Sequence, residues 1–78
     1  MEEKIKELTL MLLYLTSWKE SECGMIYDRS WKGYNFELLK KLSDEDLIID
    51  SKKSKSVAIT NEGIAKAKQL LDLYGLKE

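Results

Sequence analysis

The sequence predicts a mainly α-helical α+β domain that carries one two-stranded β-hairpin. Two observations support this fold class: apolar residues recur at helical spacing in three segments, whereas residues 47–60 alternate between apolar and polar types. The expected order is helix, loop or short element, helix, β-hairpin, helix. A chain of 78 residues is expected to form a single domain, residues 1–78.

The first predicted helix spans residues 2–18 and is apolar on two sides. At 100° per residue, one broad face carries an apolar set that we expect to form the core stripe, namely Ile5, Leu8, Met11, Leu12, Leu15 and Trp18. Leu10, Leu13 and Tyr14 fall on the other side of the helix. Because a small domain has little material to cover a second patch, we expect these three residues at the seam of a homodimer. The alternative is that the long loop or the last helix covers them.

The middle of the chain gives one uncertain and one firm element. Residues 19–33 contain a break around Gly24, and the stretch "MIYDRSW" is compatible with either a short strand or a short helix. Residues 34–46 are predicted to be helical, with Asn35 as the N-cap. The inward face of this helix is expected to consist of Tyr34 or Phe36 together with Leu38, Leu39 and Leu42.

The last third of the chain predicts the hairpin and a closing helix. Two alternating runs lie on either side of a serine- and lysine-rich tip that lacks Gly and Asn, so we expect a long charged loop rather than a tight turn. Thr60 is the expected N-cap of the last helix, and Gly75 lies near its C′ position. The apolar stripe of that helix comprises Ile64, Ala67, Leu70, Leu71 and Tyr74.

The segment "FELLKKLSDEDLIIDSKKSKSVAITNEGIAKAKQLL" resembles the second half of winged helix-turn-helix domains. Together "RSWKGYNF", "LLKKLSDEDLI" and "KSKSVAITNEG" resemble a family of small uncharacterised prokaryotic winged-helix-like proteins. The resemblance covers residues 34–74 and implies a recognition helix, a β-hairpin wing and a closing helix. It also implies a positive φ at Asp46, where the pattern commonly has Gly. The helix that should precede the recognition helix is short or absent in "CGMIYDRSWKG".

Charge is distributed unevenly along a nearly neutral chain. The net charge is −1 and the pI about 5.5, which does not favour a nucleic-acid binder. Residues 1–28 carry three basic and six acidic residues, whereas residues 29–56 carry seven basic and five acidic residues. The basic surplus therefore lies in the middle of the chain, where it would suit either DNA or an acidic protein partner.

On a DNA-binding interpretation, the helix at residues 35–45 would enter the major groove and the hairpin tip would contact phosphates. The candidate DNA-binding residues are Arg29, Lys32, Asn35, Lys40, Lys41, Lys52, Lys53 and Lys55. Glu37, Asp44 and Glu45 on the same helix would be repelled by phosphate. The alternative is that the lysines at the tip are solvated and discourage pairing between strand edges.

The aromatic residues in the middle of the chain and the single cysteine are further candidates for a functional role. Tyr27, Trp31 and Tyr34 are candidates for stacking on bases, or for a small core that orders the segment around them. Cys23 is a candidate reactive thiol, although a lone cysteine is more commonly a small buried residue.

The chain lacks the residues that most enzymes and metal sites use. It has no His, one Cys and no Gly-rich phosphate loop, so we expect no catalytic activity, cofactor or zinc site. No apolar run reaches the length of a membrane span, and the acidic start "MEEKIKE" lacks the basic region of a signal peptide. A cytoplasmic location and no small-molecule ligand are therefore expected.

Two functions remain open on the sequence alone. One is a small homodimeric DNA-binding regulator that contacts double-stranded DNA through the wing. The other is a homodimeric protein–protein interaction module that binds no nucleic acid. A continuous basic surface would favour the first function, and acidic residues that interrupt it would favour the second.

Overall fold

The computed structural model describes residues 2–51 and 54–76 and contains three helices and four strands in this part of the chain. In chain order the elements are α1 (Glu2–Leu15), β1 (Trp18–Glu22), β2 (Met25–Trp31), α2 (Phe36–Asp44), β3 (Ile48–Asp50), β4 (Ser56–Ile59) and α3 (Asn61–Leu73). Helix α1 ends three residues before its predicted end, and Trp18 begins a strand instead of belonging to the helix.

The four strands form a single antiparallel sheet in the order β1-β2-β4-β3. The predicted two-stranded wing and the winged-helix-like architecture are therefore wrong. Strands β3 and β4 do pair as predicted, with Ile48 opposite Ile59. However, β4 also pairs with β2, where Arg29 lies opposite Ala58. This hairpin is therefore one half of a four-stranded sheet rather than a separate wing.

The hairpin β1–β2 occupies the segment that the sequence left uncertain. Its loop consists of Cys23 and Gly24, which adopt φ values of 53° and 80°. Positive φ at both central residues is the requirement of a type I′ turn, whose twist matches that of the two strands it joins. Because the second residue is Gly, the cost of a positive φ falls mainly on Cys23. The helix that a helix-turn-helix would require at this point is replaced by two strands.

Caps fix the limits of α2 and α3 where the sequence predicted them. The Asn35 side chain accepts a hydrogen bond from the backbone N–H of Glu37 at 2.8 Å, and the Thr60 hydroxyl accepts one from that of Gly63 at 2.9 Å. Gly75 follows α3 with φ 71°. After α2, Asp46 takes φ 60°, as the family resemblance implied for this position.

The three helices contribute to one core on one face of the sheet. Paired residues of an antiparallel sheet project to the same side, so Ile48, Ile59 and, two residues along, Val57 share the helix-facing side. These residues pack with buried leucines of all three helices, namely Leu10, Leu13, Leu39, Leu42, Leu70 and Leu71. The opposite face of the sheet carries no helix in the described part of the chain.

Gly63 allows α3 to approach the loop before β3. A Cβ atom at this position would lie 2.0 Å from the backbone oxygen of Leu47 and 2.9 Å from Cγ2 of Ile59. The close approach lets Thr60 act as the cap of α3 while its hydroxyl donates to the carbonyl oxygen of Asp46 at 2.7 Å. The start of α3 is thereby fixed to the end of α2.

Candidate functional site: the outward face of helix α1

The inward face of α1 is built from residues that were predicted to lie at a dimer seam. Leu10 and Leu13 are 1% and 0% exposed and belong to the core of the single chain, and half-buried Tyr14 packs against the same core. The prediction that these residues form a surplus patch is therefore wrong. The sheet and the other two helices cover Leu10 and Leu13, so these two residues are not available to a partner.

The outward face of α1 carries the residues that were predicted to form the core. Ile5, Leu8, Leu12 and Leu15 are 44–48% exposed and lie on the side of the helix opposite Leu10. We call these four residues the outward stripe. Of the predicted core face only Met11 is fully buried. The prediction that α1 is apolar on two opposite sides is confirmed. However, the side that was predicted to face the core is exposed, and the other side is buried.

The orientation of α1 is fixed by a buried lysine. Lys6 is 7% exposed, and its ammonium group forms ion pairs with Glu45, at the end of α2, and with Glu3 at 3.0 Å. Burial lowers the pKa of Lys6, but hydrogen bonds to the two carboxylates and their negative charges outweigh it, so the pKa is raised above its ordinary value. Thr9 completes the polar part of the inward face by donating to the carbonyl oxygen of Ile5 at 2.8 Å.

Each end of the outward stripe adjoins a shallow cleft. The cleft beside Ile5 has a volume of about 220 Å³ and is lined by both an acid and a base of α2, Glu37 and Lys41. The cleft beside Leu15 has a volume of about 360 Å³ and is lined by Lys19 and Lys68. Lys19 is paired with Asp28 across the hairpin. Within residues 2–51 and 54–76, Glu37 and Lys68 take part in no ion pair.

Two of the predicted DNA-binding residues are held by neighbouring groups. Arg29 forms an ion pair with Glu20 at 3.2 Å and donates to the hydroxyl of Ser56 at 3.0 Å. Lys32 forms an ion pair with Asp50 at 2.8 Å. Both side chains are more than three-quarters buried, so each cation is already matched by a carboxylate of the same sheet.

Of the other predicted DNA-binding residues, Lys55 lies beside Lys32, whose backbone N–H donates to the carbonyl oxygen of Lys55 at 3.2 Å. Asn35 is occupied in capping α2, whereas Lys40, Lys41 and Lys55 are exposed. Lys52 and Lys53 lie outside the described residues. The lysines of α2 alternate with the exposed acids of the same helix, Glu37 and Asp44. The described basic residues therefore form two groups, Arg29, Lys32 and Lys55 beside the loop between β3 and β4 and Lys40 and Lys41 on α2, and each group contains carboxylates.

The open face of the sheet forms a second exposed surface. Trp31 is 64% exposed, and its ring centroid lies 4.9 Å from that of Trp18 on the neighbouring strand. Tyr27 projects from the same face, whereas Tyr34 packs against the core on the helix side, so the three aromatic residues predicted as one cluster are not together. Cys23 is exposed in the turn rather than buried. The alternation of large side chains along "MIYDRSW" was the available signal for this surface.

The described part of the chain contains neither a cluster suited to a metal ion nor a helix suited to a bilayer. Among these residues, no group of three or more His, Cys, Asp or Glu side chains is arranged to hold a metal ion. None of the described helices has the length and apolar character needed to cross a bilayer.

The fold and these surfaces define a small α+β domain that exposes apolar side chains on α1 and on the open face of its sheet. The chain belongs to the family described as a domain of unknown function, DUF6429, whose family model matches residues 1–77. It is similar to "Uncharacterized protein y4hR" of Sinorhizobium fredii (strain NBRC 101917 / NGR234), with 36% identity over 70 residues, 88% of this chain and 85% of the relative. No solved structure matches the chain at a significant level. Neither relationship indicates a winged-helix protein or states an activity.

Proposed function

We propose that this protein is a homodimeric protein–protein interaction module whose self-association surface is the outward stripe of α1. A single observation carries the proposal: four aliphatic side chains, each 44–48% exposed, form an uncharged stripe directly opposite a face that is already buried. A helix that is apolar on both sides is a helix that is covered on both sides. The seam therefore lies on the face opposite the one that the sequence indicated.

The spacing of the stripe supports helix-to-helix contact. Ile5, Leu8, Leu12 and Leu15 follow the 3-4-3 spacing of the a and d positions of a coiled-coil seam. Of the positions that flank such a seam, Thr9 and Met11 are buried within the domain, and the two exposed ones, Lys4 and Thr16, carry a single charge. Two copies of this face can meet without bringing rows of like charges together.

The charge distribution supports a protein partner over a nucleic acid. A DNA-binding surface needs several cations that are free to neutralise phosphates. Here Arg29 and Lys32 are paired with acids, and the exposed lysines of α2 alternate with Glu37 and Asp44. A pI of about 5.5 adds a repulsive background to any contact with a polyanion.

Sedimentation velocity at micromolar to hundred-micromolar concentrations tests the self-association. We expect the wild type to be dimeric and Leu8→Asp and Leu12→Asp to be monomeric, because each dimer would bury two charges in an apolar seam. Ile49→Asp is the matched control, since Ile49 is an aliphatic residue 59% exposed on the face of the sheet opposite the helices. A wild type that stays monomeric throughout this range would overturn the proposal.

Fluorescence anisotropy with labelled duplex DNA at low salt tests the competing function. We expect no saturable binding at protein concentrations at which the dimer forms. Tight binding that weakens steeply with salt, and that is lost in Lys40→Ala and Lys41→Ala but not in Lys66→Ala, would replace the interaction module with a DNA binder.

A further inference from the structure

We infer that the free edge of strand β3 binds an extended segment of a partner protein as a further antiparallel strand, with an aromatic side chain of that segment in the cleft between β3 and α2. The inference rests on the proposed role as an interaction module and names the kind of partner that the module binds. It uses no residue of the outward stripe, so the two surfaces can be tested separately.

Strand β3 lies at one edge of the sheet and has unpaired backbone groups there. The carbonyl oxygen of Leu47 accepts a hydrogen bond from the backbone N–H of Thr60 at 3.1 Å, so Leu47 points towards β4. Because the backbone groups of an antiparallel strand alternate in direction, Ile49 also points towards β4, whereas Ile48 and Asp50 point to the open edge. Among the described residues, no group outside the sheet bonds to the backbone of these two residues. They are therefore available to another strand.

The other edge of the sheet, β1, is less suited to a partner strand. The side chains of β1 are charged beside that edge, with Lys19 73% and Glu20 50% exposed. Charged side chains on an edge strand discourage pairing with another chain. On β3, by contrast, the side chain on the open face of the sheet is Ile49, which is 59% exposed. A partner strand therefore meets an aliphatic side chain at β3 and charges at β1.

A cleft adjoins β3 on the helix side of the sheet. It has a volume of about 420 Å³ and is lined by Lys32, Tyr34, Phe36, Leu39 and Asp50. Phe36 and Leu39 lie one turn apart on α2, and Phe36 is 69% exposed. Asp50 projects to the helix side because it pairs with buried Val57. Since paired residues project to the same side, the residue of an added strand that lies opposite Asp50 projects towards the cleft.

The lining of the cleft fits an uncharged aromatic side chain. Its two charges already neutralise each other, since the ammonium group of Lys32 lies 2.8 Å from the carboxylate of Asp50. A charged side chain in the cleft loses its water and finds no free counter-charge in this lining. An aromatic ring gains contacts with Tyr34 and Phe36 of the kind that aromatic pairs favour. Because β3 has only three residues, this contact supplies a large part of the binding.

The sequence of β3 argues against a second copy of this chain as the occupant. Two β3 strands paired about Ile49 place Ile48 of each copy opposite Asp50 of the other. That pairing brings no aromatic side chain to the cleft and sets a carboxylate against an aliphatic residue. The occupant is therefore a different polypeptide, with an aromatic residue opposite Asp50 and, next along its chain, an aliphatic residue opposite Ile49.

An NMR titration of the full chain with the peptide acetyl-Lys-Thr-Phe-Ile-Thr-Lys-amide tests the strand addition. In the inferred register its Phe lies opposite Asp50 and its Ile opposite Ile49. We expect saturable shifts and slower solvent exchange for the backbone amides of Ile48 and Asp50, and no change for those of Lys19 and Ser21 on β1. Unshifted Ile48 and Asp50 amides at millimolar peptide, or shifts at β1 instead, would overturn the inference.

Backbone methylation of the peptide separates strand addition from contact between side chains alone. The N–H of its Phe points towards β3 and bonds to Asp50, whereas the N–H of its Ile points away. N-methylation at Phe should therefore raise the Kd roughly tenfold, and N-methylation at Ile, the matched control, should change it by less than about threefold. Equal effects of the two methyl groups would contradict pairing with β3.

The variant Phe36→Ala tests the cleft without disturbing the core, because Phe36 is exposed. It should raise the Kd of the peptide roughly fivefold through the lost aromatic contact. Leu73→Ala is the matched control and should leave the Kd unchanged, since Leu73 is 76% exposed at the end of α3. Unchanged binding in Phe36→Ala would contradict the placement of the aromatic side chain.

The same titration in the Leu8→Asp variant separates this inference from the proposed self-association. We expect the wild-type Kd, because Leu8 lies on α1 and outside the cleft. A wild type that is monomeric but binds the peptide would overturn only the self-association. A dimer that binds no peptide would overturn only the strand addition.

Discussion

The two faces of α1 have nearly the same aliphatic composition and opposite environments. Leu10 and Leu13 are at most 1% exposed, whereas Leu8 and Leu12 are 44–48% exposed on the same helix. The difference lies in the neighbouring residues: the inward face is the one that carries polar side chains, Lys6 and Thr9. The more uniformly apolar side of a helix is therefore not always the side that its own domain buries.

The polar residues of the inward face explain why the sequence pointed to the wrong side. On a helical wheel, a lysine predicts a solvent-exposed position. Lys6 is nevertheless buried, because its ammonium group forms ion pairs with Glu45 and Glu3. Glu45 lies far from Lys6 in the sequence, and its position depends on how α2 packs. A pattern within one helix contains no information about that partner.

The largest expected effect is a difference in how much the residues of the two faces of α1 contribute to the free energy of unfolding. Leu13→Ala should lower the free energy of unfolding by about 3 kcal/mol, because it leaves a cavity in the core. Leu12→Ala should change the stability of the monomer by less than about 0.5 kcal/mol, since Leu12 is 48% exposed. Urea unfolding in the monomeric Leu8→Asp background gives both values. Equal losses from the two variants would contradict the assignment of the faces.

A smaller effect is expected from the buried lysine. Lys6→Ala should lower the free energy of unfolding by roughly 1–3 kcal/mol, because it removes charged hydrogen bonds to Glu45 and Glu3. Lys4→Ala is the matched control: Lys4 is exposed on the same helix, with its ammonium group 5.5 Å from the centre of the Tyr74 ring, so a loss under about 1 kcal/mol is expected.

The ion pair of Lys6 also predicts a pH dependence with a definite sign. Because the pKa of Lys6 is raised in the folded state, its contribution is complete below the pKa of the unfolded lysine, near pH 10, and is lost as the pH rises through the higher folded value. Unfolding titrations from pH 8 to pH 11 should therefore show the wild type losing its advantage over Lys6→Ala. An advantage that is constant across this range would contradict the raised pKa.

The smallest effect concerns the outward stripe. If two copies cover it, a tenfold rise in protein concentration should raise the Tm by roughly 3 °C, since association stabilises the folded state by mass action. Leu12→Asp should show a Tm that is independent of concentration while remaining folded. Thermal scans followed by circular dichroism at three concentrations measure both.

The sequence correctly predicted the elements of the fold that depend on residues close together in the chain. The caps at Asn35 and Thr60, the helices that follow them and the pairing of β3 with β4 were all readable, because each depends on residues a few positions apart. The positive φ of Asp46 came from the family resemblance and is also present in the structure.

The sheet could not be predicted in the same way because its assembly depends on distant residues. The turn at Cys23 and Gly24 lacks the Asn-Gly or Asp-Gly pair that would have indicated a type I′ hairpin. The pairing of β2 with β4 joins positions about thirty residues apart, and it is this pairing that changes a two-stranded hairpin into a four-stranded sheet. The ion pairs of Arg29 and Lys32 could not be predicted for a related reason, since Glu20 lies on β1, beside β2, and Asp50 lies on β3, two strands from β2.

The tryptophan pair makes the open side of the sheet optically distinct from the rest of the molecule. Both tryptophans of the chain are in this pair, with ring planes inclined by 45°, close enough for their excited states to couple. Indole emission and near-ultraviolet dichroism therefore follow the β1–β2 hairpin, while far-ultraviolet dichroism is dominated by the helices. Separate melting curves from these two signals would reveal whether the hairpin opens before the helical layer does.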